Sequence, residues 1–224
     1  MIAVHHLNNS RSQRILWLLE ELALPYEVVR YERDADTMLA PAALRKVHPL
    51  GKSPVVTLDD GTVLAESGAI IETLIEREGD GKLAPAAGSP QAVRYRYWLH
   101  YAGGSVMPIL LLKLIFDKVE SSKMPFFVRP IAKAISGKAK AAFISPNLKT
   151  HLDFIEAELG KNEWFAGDAF SGADIQMSFP LEAAVARAGL DNSRPRSTAW
   201  LERIHGRPAY RRALERGGPY DFVK

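Results

Sequence analysis

The sequence predicts an α+β domain over residues 1–80 that is followed by an all-helical domain over residues 91–224. Three observations support this prediction. Strand-like and helix-like patterns alternate in the first 80 residues, in the order β-α-β and then β-β-α. Residues 81–90 contain two glycines and two prolines, which is typical of a linker. The alternation of strands is absent after the linker, and this favours a helix bundle.

The β-α-β unit is indicated by two short strand-like runs that flank an amphipathic segment. Ile2–Leu7 is short and rich in apolar residues, and Tyr26–Tyr31 is rich in residues that favour strands. Between them, residues 13–22 place apolar side chains at the i, i+3, i+4, i+7 spacing of one helix face. These side chains are Ile15, Leu18, Leu19 and Leu22.

The β-β-α unit is indicated by the turn Asp59-Asp60-Gly61, because Asp-Gly pairs favour tight hairpins. The predicted strands Val55–Leu58 and Val63–Leu64 flank this turn. A short helical segment near residues 41–46 precedes the hairpin, and a helix over Ala69–Glu78 closes the domain. The expected sheet therefore combines a parallel pair with an antiparallel hairpin.

Four stretches of the second domain carry helical periodicity. They cover residues 91–102, 149–159, 174–188 and 197–205. One of them is preceded by Ser171-Gly172-Ala173-Asp174, the pattern of a capping box, to which we assign a purely structural role.

The composition excludes several classes of function. The chain has 47% hydrophobic and 25% charged residues, as is ordinary for a soluble globular protein, and it has no cysteine. Disulfides, thiolate metal sites and protein thiol nucleophiles are therefore excluded, so any thiol chemistry requires a sulfur atom from a bound small molecule.

The same inspection favours a cytoplasmic protein. No apolar run approaches the roughly 18 residues that span a bilayer, since the longest candidate is broken by Lys113, and no secretory signal is visible. We expect no integral membrane association and no nucleic-acid partner. We also expect no metal, because the histidines show no ligand spacing. These are His5, His6, His151 and His205.

Basic residues are concentrated between Lys113 and Lys140. This segment contains seven basic and two acidic residues, so its local charge is +5, compared with +3 for the whole chain. A solvated helical face explains this pattern. The alternative is a surface that attracts acidic substrates, nucleic acid or anionic lipid.

Three short stretches of the first domain carry the candidate chemistry. Residues 10–14 (Ser-Arg-Ser-Gln-Arg) lie between the first strand and the first helix. Lys52-Ser53-Pro54 enters the third strand, and Glu66-Ser67 directly precedes the third helix. Each stretch alone is typical of a cap or a turn. Their order and spacing within residues 48–54 (HPLGKSP) and 64–68 (LAESG) are far more specific.

With these motifs the chain resembles the glutathione transferase superfamily over essentially its whole length, and it looks closest to a bacterial and fungal serine-type branch. The resemblance implies a thioredoxin-like glutathione-binding domain, a helical domain with an electrophile site, and a homodimer. It implies glutathione as co-substrate and conjugation of its thiolate to small hydrophobic electrophiles. Two alternatives stay open: a glutathione-dependent peroxidase, and a non-catalytic protein that binds glutathione or a protein partner.

The resemblance also implies the contacts with glutathione. In the family, the peptide bond before Pro54 is cis, and the backbone of Ser53 pairs with the cysteinyl moiety. Ser67 receives the γ-glutamyl carboxylate at a helix N-terminus, where anions are favoured, and Glu66 receives the ammonium group. Lys52 is placed to meet the glycyl carboxylate or the backbone of the tripeptide, which docks as an added short strand.

Activation of the thiol is the central chemical step, because a thiol with a pKa of about 8.5 is mostly protonated at neutral pH. Ser10 resembles the catalytic serine of the family, since it follows the first strand and stands four residues before Arg14. The amide of Asn9 and backbone N–H groups are the other candidates. A tyrosine at the end of the first strand is absent, which argues against a tyrosine-type site.

Candidate electrophile contacts lie on the first helix of the second domain. Tyr97, Tyr101 and Ser105 share one helix face at i, i+4 and i+8. In the family this segment, which includes His100 and Met107, faces the thiol across the domain interface. A core or dimer-contact role for the same face is the equal alternative.

Overall fold

The computed structural model describes residues 1–223. Four strands form one sheet in the order β2-β1-β3-β4: β1 (Ile2–Leu7), β2 (Tyr26–Tyr31), β3 (Val55–Thr57) and β4 (Val63–Ala65). Strand β1 is parallel to β2 and antiparallel to β3, and β3 is antiparallel to β4. The predicted parallel pair and hairpin are confirmed.

The helices of the first domain are α1 (Gln13–Glu21), α2 (Ala43–Val47) and α3 (Ser67–Glu78). Helix α1 is buried from Gln13 to Leu19, because it contacts β1 and α3 on one side and helices of the second domain on the other. Helix α3 begins two residues before the predicted start, so Ser67 lies in its first turn.

The second domain is helical throughout residues 90–217, apart from its connections, which confirms the prediction. Its helices are α4 (Pro90–Tyr101), α5 (Met107–Ser121), α6 (Arg129–Ala139), α7 (Ser145–Leu159), α8 (Gly172–Arg187), α9 (Pro195–His205) and α10 (Pro208–Gly217). Helices α5, α6 and α10 add to the four stretches that showed periodicity.

A π-helical turn at Ala102–Val106 joins α4 to α5, so Pro90–Ser121 is one helical run of 32 residues. With a mean hydropathy of 1.5 in its most apolar window, this run is able to cross a membrane by length and composition. The expectation that no stretch reaches this limit is therefore wrong, because one lysine does not interrupt a helix. Core packing accounts for part of the apolar composition, since 39% of that most apolar window is buried and the core includes Trp98, Leu99 and Val106 of this run.

Helix α8 packs against helices of both domains, including α1 and α3 of the first and α4 of the second. The predicted capping box is confirmed, with Ser171 and Asp174 making reciprocal contacts at its start. A Cβ atom at Gly172 would lie 2.6 Å from Ile75 and 3.0 Å from the hydroxyl of Tyr95. Only glycine fits there, and this allows α8 to pack closely against α3 and α4.

The basic segment lies on α5, α6 and their connection, and it ends at Lys140, the first residue of the π-helical turn Lys140–Ile144 that follows α6. Lys140 pairs with Asp117 at 3.0 Å and with Glu120 at 2.8 Å, and Lys113 pairs with Asp117 at 2.6 Å. The other five basic side chains form no ion pair within residues 1–223. Exposed apolar side chains lie among them. These are Ile115, Val119, Phe126, Phe127, Ile131 and Ile135.

Candidate functional site

A cleft in the first domain lies between the start of α1, the loop before β3 and the start of α3. Its lining residues are Arg11, His48, Leu50, Lys52, Ser53, Pro54, Ala65, Glu66 and Ser67. The fold thus brings together all five residues that the sequence suggested for glutathione. The lining contains Arg11 from the first motif, but not Ser10 or Asn9.

The loop before β3 supplies one wall of the cleft. The Ser53–Pro54 peptide bond is cis. The hydroxyl of Ser53 donates a hydrogen bond of 2.9 Å to the carbonyl oxygen of His5, which anchors this wall to β1. Lys52 is exposed beside it and makes no hydrogen bond or ion pair within residues 1–223.

The start of α3 supplies the opposite wall. Glu66 has φ 68° and ψ 118°, a left-handed conformation that is unfavourable for a residue with a side chain. Strain of this kind is concentrated at functional sites. The carboxylate of Glu66 has no hydrogen-bond partner in the described part of the chain and caps no N–H of α3. The unpaired N–H groups of the first turn therefore give this wall a partial positive charge.

Arg14 lies directly behind Ser67. Arg14 is 2% exposed, and one nitrogen of its guanidinium donates a hydrogen bond of 2.7 Å to the hydroxyl oxygen of Ser67. Another nitrogen donates to the carbonyl oxygen of Gln176. Burial, and then the charge of Arg11, lower the pKa of Arg14 to about 9, so it is charged at neutral pH. Because Arg14 donates to the hydroxyl oxygen of Ser67, the hydroxyl hydrogen of Ser67 remains available to donate to a ligand.

Ser10 forms the end of a buried hydrogen-bond chain. It is 4% exposed, and its hydroxyl lies 2.8 Å from that of Ser12 and accepts from the Ser12 N–H at 3.2 Å. The Ser12 hydroxyl lies 2.9 Å from Nδ1 of His6. Burial, and then the charge of Arg30, lower the pKa of His6 to about 4. His6 is therefore neutral at pH 7.

Asn9 is held by the C-terminal segment, which comprises residues 219–223. Its amide nitrogen donates to the carboxylate of Asp221 at 2.7 Å, and its amide oxygen accepts from the Asp221 N–H at 2.8 Å. Nearby, the hydroxyl of Tyr220 donates to the buried carboxylate of Glu182 on α8 at 2.5 Å. The side chain of Asn9 thus has a structural partner on each of its polar atoms.

Arg11 is the side chain of the first motif that faces the cleft. It makes no hydrogen bond or ion pair within residues 1–223, and burial lowers its pKa while Glu66 acts in the opposite direction. Sequence reasoning missed it as an individual site residue. Its neighbour Ser10 matched the family pattern, and no spacing rule indicates which of two adjacent side chains points into a cleft.

The predicted electrophile contacts lie on α4 and the following π-helical turn. Tyr97 is exposed and stacks on Tyr101 with ring centroids 5.4 Å apart. Tyr101 is buried, and its hydroxyl lies 2.6 Å from Nδ1 of His151 on α7. Ser105 is half-buried. None of the three lines the cleft, so their role toward an electrophile stays a prediction.

Comparison with known proteins adds an independent observation. The chain matches the model of the glutathione S-transferase N-terminal domain over residues 10–77, and that of the C-terminal domain over residues 119–208. It is 37% identical over 223 residues to glutathione S-transferase 1 of Saccharomyces cerevisiae, which covers 96% of this chain and 95% of that relative. The chain belongs to the glutathione S-transferase family. The transferase class predicted from the sequence is confirmed.

Further similar proteins support the same assignment. Glutathione S-transferase 3 of Schizosaccharomyces pombe is 37% identical over 216 residues, covering 96% of this chain and 88% of the relative. The crystal structure of a glutathione S-transferase from Actinobacillus pleuropneumoniae has a TM-score of 0.80 and 31% identity, and it covers 100% of this chain and 96% of that one.

A structure with bound glutathione is also similar. The sphingomonad glutathione S-transferase complexed with glutathione has a TM-score of 0.73 and 26% identity, covering 96% of this chain and 98% of that one. The predicted thioredoxin-like domain followed by a helical domain is confirmed. Within residues 1–223, no group of three or more histidine, aspartate or glutamate side chains is arranged to hold a metal.

Proposed function

We propose that the protein conjugates the thiolate of glutathione to small hydrophobic electrophiles. The observation that carries this proposal is the set of charges around the cleft. Arg11, Lys52 and Glu66 have no hydrogen-bond or ion-pair partner in the described chain, and the buried cation Arg14 lies behind Ser67. Glutathione carries two carboxylates and one ammonium group, so its charges complement this arrangement.

The proposed contacts follow the walls of the cleft. The hydroxyl of Ser67 and the first N–H groups of α3 bind the γ-glutamyl carboxylate, supported by the helix dipole. Glu66 binds the ammonium group. The backbone of Ser53, next to Pro54, pairs with the cysteinyl residue as an added strand does, and Lys52 binds the glycyl carboxylate.

The proposed reaction is a nucleophilic substitution or addition by the bound sulfur. The thiol proton leaves to solvent, and the thiolate forms a C–S bond with the electrophile. In a substitution, the bond to the leaving group breaks and that group departs with the electron pair. Catalysis comes from stabilising the thiolate and from holding the electrophile near it, with Tyr97, Tyr101 and Ser105 as candidate contacts.

The test is a conjugation assay with glutathione and a chlorinated nitroaromatic substrate, followed by absorbance of the thioether product. We expect saturable turnover that is lost on heating and weakened in Ser67→Ala. Glutathione binding without turnover would favour the non-catalytic alternative. Turnover with an organic hydroperoxide alone, giving the alcohol, water and glutathione disulfide, would favour the peroxidase.

We also propose a cytoplasmic homodimer. The exposed apolar side chains on α5, α6 and their connection, among them Phe126 and Phe127, support an interface there. Light scattering coupled to size-exclusion chromatography measures the mass in solution directly. A monomeric mass at micromolar concentration would contradict the dimer and leave the glutathione cleft unaffected.

A further inference from the structure

We propose that the guanidinium group of Arg11 stabilises the thiolate of bound glutathione. This inference rests on the proposed function, because it assigns a catalytic role within the same cleft. Three candidates were open at the start of α1: the hydroxyl of Ser10, the amide of Asn9 and backbone N–H groups. Neither Ser10 nor Asn9 lines the cleft, and each is held by a hydrogen-bond partner inside the protein.

Ser10 has a single hydroxyl hydrogen. The hydroxyl oxygen lies 2.8 Å from the Ser12 hydroxyl and accepts from the Ser12 N–H at 3.2 Å. Ser10 is 4% exposed and does not line the cleft, so its hydroxyl is turned into the fold and not toward the proposed position of the sulfur.

Asn9 is held away from the cleft. Its amide nitrogen donates one of its two hydrogens to the Asp221 carboxylate at 2.7 Å, and its amide oxygen accepts from the Asp221 N–H at 2.8 Å. These two bonds fix the amide on the C-terminal segment, and Asn9 does not line the cleft.

Arg11 makes no hydrogen bond or ion pair within residues 1–223, and it lines the cleft together with Ser53, where the cysteinyl residue is proposed to lie. It stands two residues before the first residue of α1, so its charge adds to the positive end of that helix. A guanidinium also stays charged at neutral pH when burial lowers its pKa, which is the direction seen for Arg11.

The charge of the whole cleft fits the thiolate form. The formal charges of Arg11, Arg14, Lys52 and Glu66 are three positive and one negative, a balance of +2. Glutathione has a charge of −1 as the thiol and −2 as the thiolate. Once the two carboxylates and the ammonium group are bound as proposed, Arg11 is the cation that remains for the sulfur.

An opposite charge within about 4–6 Å lowers the pKa of an acid by roughly 1–3 units. For a thiol that starts at about 8.5, this brings much of the bound glutathione to the thiolate at neutral pH. The proton that leaves the sulfur goes to solvent, and no group of the protein has to accept it.

The experiment follows the ultraviolet absorbance of the thiolate in the enzyme–glutathione complex across pH. Arg11→Gln should raise the pKa of the bound thiol by roughly 1–2 units and lower kcat/KM near neutral pH by roughly tenfold to a hundredfold. Arg11→Lys should retain part of the effect. Binding of S-methylglutathione, which has no thiol proton, should change by less than about threefold in Arg11→Gln and shows that the fold is intact.

Arg77→Gln is the matched control. It removes one arginine charge from the last turn of α3 in the same domain, where Arg77 is exposed and pairs with Asp60 at 3.5 Å. We expect the wild-type pKa of the bound thiol in this variant. A shift equal to that of Arg11→Gln would show a general effect of net charge and would overturn the proposal.

Three further outcomes would also overturn it. The pKa of the bound thiol stays unchanged in Arg11→Gln while S-methylglutathione still binds. Ser10→Ala raises that pKa more than Arg11→Gln does, which assigns activation to the hydroxyl. S-methylglutathione binding falls as steeply as glutathione binding without a pKa change, which makes Arg11 a carboxylate ligand. If the wild-type protein binds neither compound, the proposed function itself is wrong.

Discussion

Replacement of Asp174 by alanine should destabilise the fold without removing a group from the cleft. Asp174 is fully buried and accepts hydrogen bonds from the N–H groups of Phe165 and Ser171, both at 3.0 Å. It also accepts from the Ser171 hydroxyl at 3.1 Å and from the indole N–H of Trp200 at 3.2 Å. The carboxylate therefore connects three segments of the second domain.

The contacts of Asp174 predict a larger loss in the free energy of unfolding than a capping box alone would give. A capping box alone is worth about 0.5–2 kcal/mol. Alanine would in addition leave the Phe165 N–H and the Trp200 N–H buried without a partner, at about 1–3 kcal/mol each. Such terms are not additive, and the buried carboxylate carries its own desolvation cost. We expect the free energy of unfolding to fall by about 2–4 kcal/mol at pH 7.

The pH dependence of this loss has a definite sign. Burial raises the pKa of Asp174 to about 6, against hydrogen bonds that act in the opposite direction. Folding therefore favours the protonated form, and the contribution of Asp174 to stability increases as pH falls from about 6 to about 4. Because Asp174→Ala lacks this contribution, the difference between the two proteins should be larger at pH 5 than at pH 7.

Urea unfolding followed by tryptophan fluorescence measures both quantities. Asp153→Ala is the control, since Asp153 is an exposed carboxylate on α7 that pairs with Lys149 and Arg194, and its loss should have a much smaller effect. Glutathione affinity per folded molecule should be unchanged in both variants. Unchanged stability with a loss of activity in Asp174→Ala would place Asp174 in the active site and refute this reasoning.

Three other predictions concern individual side chains. Ser67→Ala should weaken glutathione binding by roughly tenfold to a hundredfold in calorimetry, because it removes a hydrogen bond to a charged carboxylate. Equal affinity would contradict the proposed placement of the tripeptide. The pKa of His6 is lowered to about 4 by burial and by Arg30, so the unfolded state binds the proton more tightly than the folded state. The free energy of unfolding should therefore fall by about 3 kcal/mol as the pH falls from 6.5 to 4. His6→Asn should lack this acid-dependent loss in urea titrations at several pH values. Tyr101→Phe should lower the free energy of unfolding by about 1 kcal/mol, because the bond of its hydroxyl to His151 is lost, while the KM for the electrophile stays the same because the ring proposed to contact the electrophile is retained. A raised KM at unchanged stability would instead assign the hydroxyl of Tyr101 to the electrophile.

Much of the architecture was predictable because its signals are local. The period-2 and 3.6-residue patterns predict β1, β2, α1 and the hairpin within one or two residues. The capping box before α8 was readable for the same reason, since its partners Ser171 and Asp174 are three residues apart. The hydrogen bond from the indole of Trp200 to Asp174 joins residues that are 26 positions apart, so no local pattern predicts it.

The chemistry of the candidate site was less predictable, because it depends on side-chain direction and on distant partners. Ser10 and Arg11 are neighbours in sequence, yet one is buried on Ser12 and the other lines the cleft. The partner of Asn9 lies 212 residues away, and nothing near residue 9 indicates it. Patterns of residue type identify the loop, whereas only the packed fold distinguishes between its members.

The contact between Asn9 and Asp221 couples the release of the C-terminal segment to the conformation of the β1–α1 loop beside the cleft. Tyr220 anchors the segment on the buried Glu182, and Phe222 is 7% exposed and packs on Phe179. A protease therefore reaches the segment only after a local opening releases it from α8 and from the β1–α1 loop. A ligand that binds only the closed arrangement of that loop suppresses such openings in proportion to its occupancy. The rate at which a protease trims residues 219–223 therefore becomes a readout of glutathione occupancy that requires neither turnover nor a chromogenic substrate.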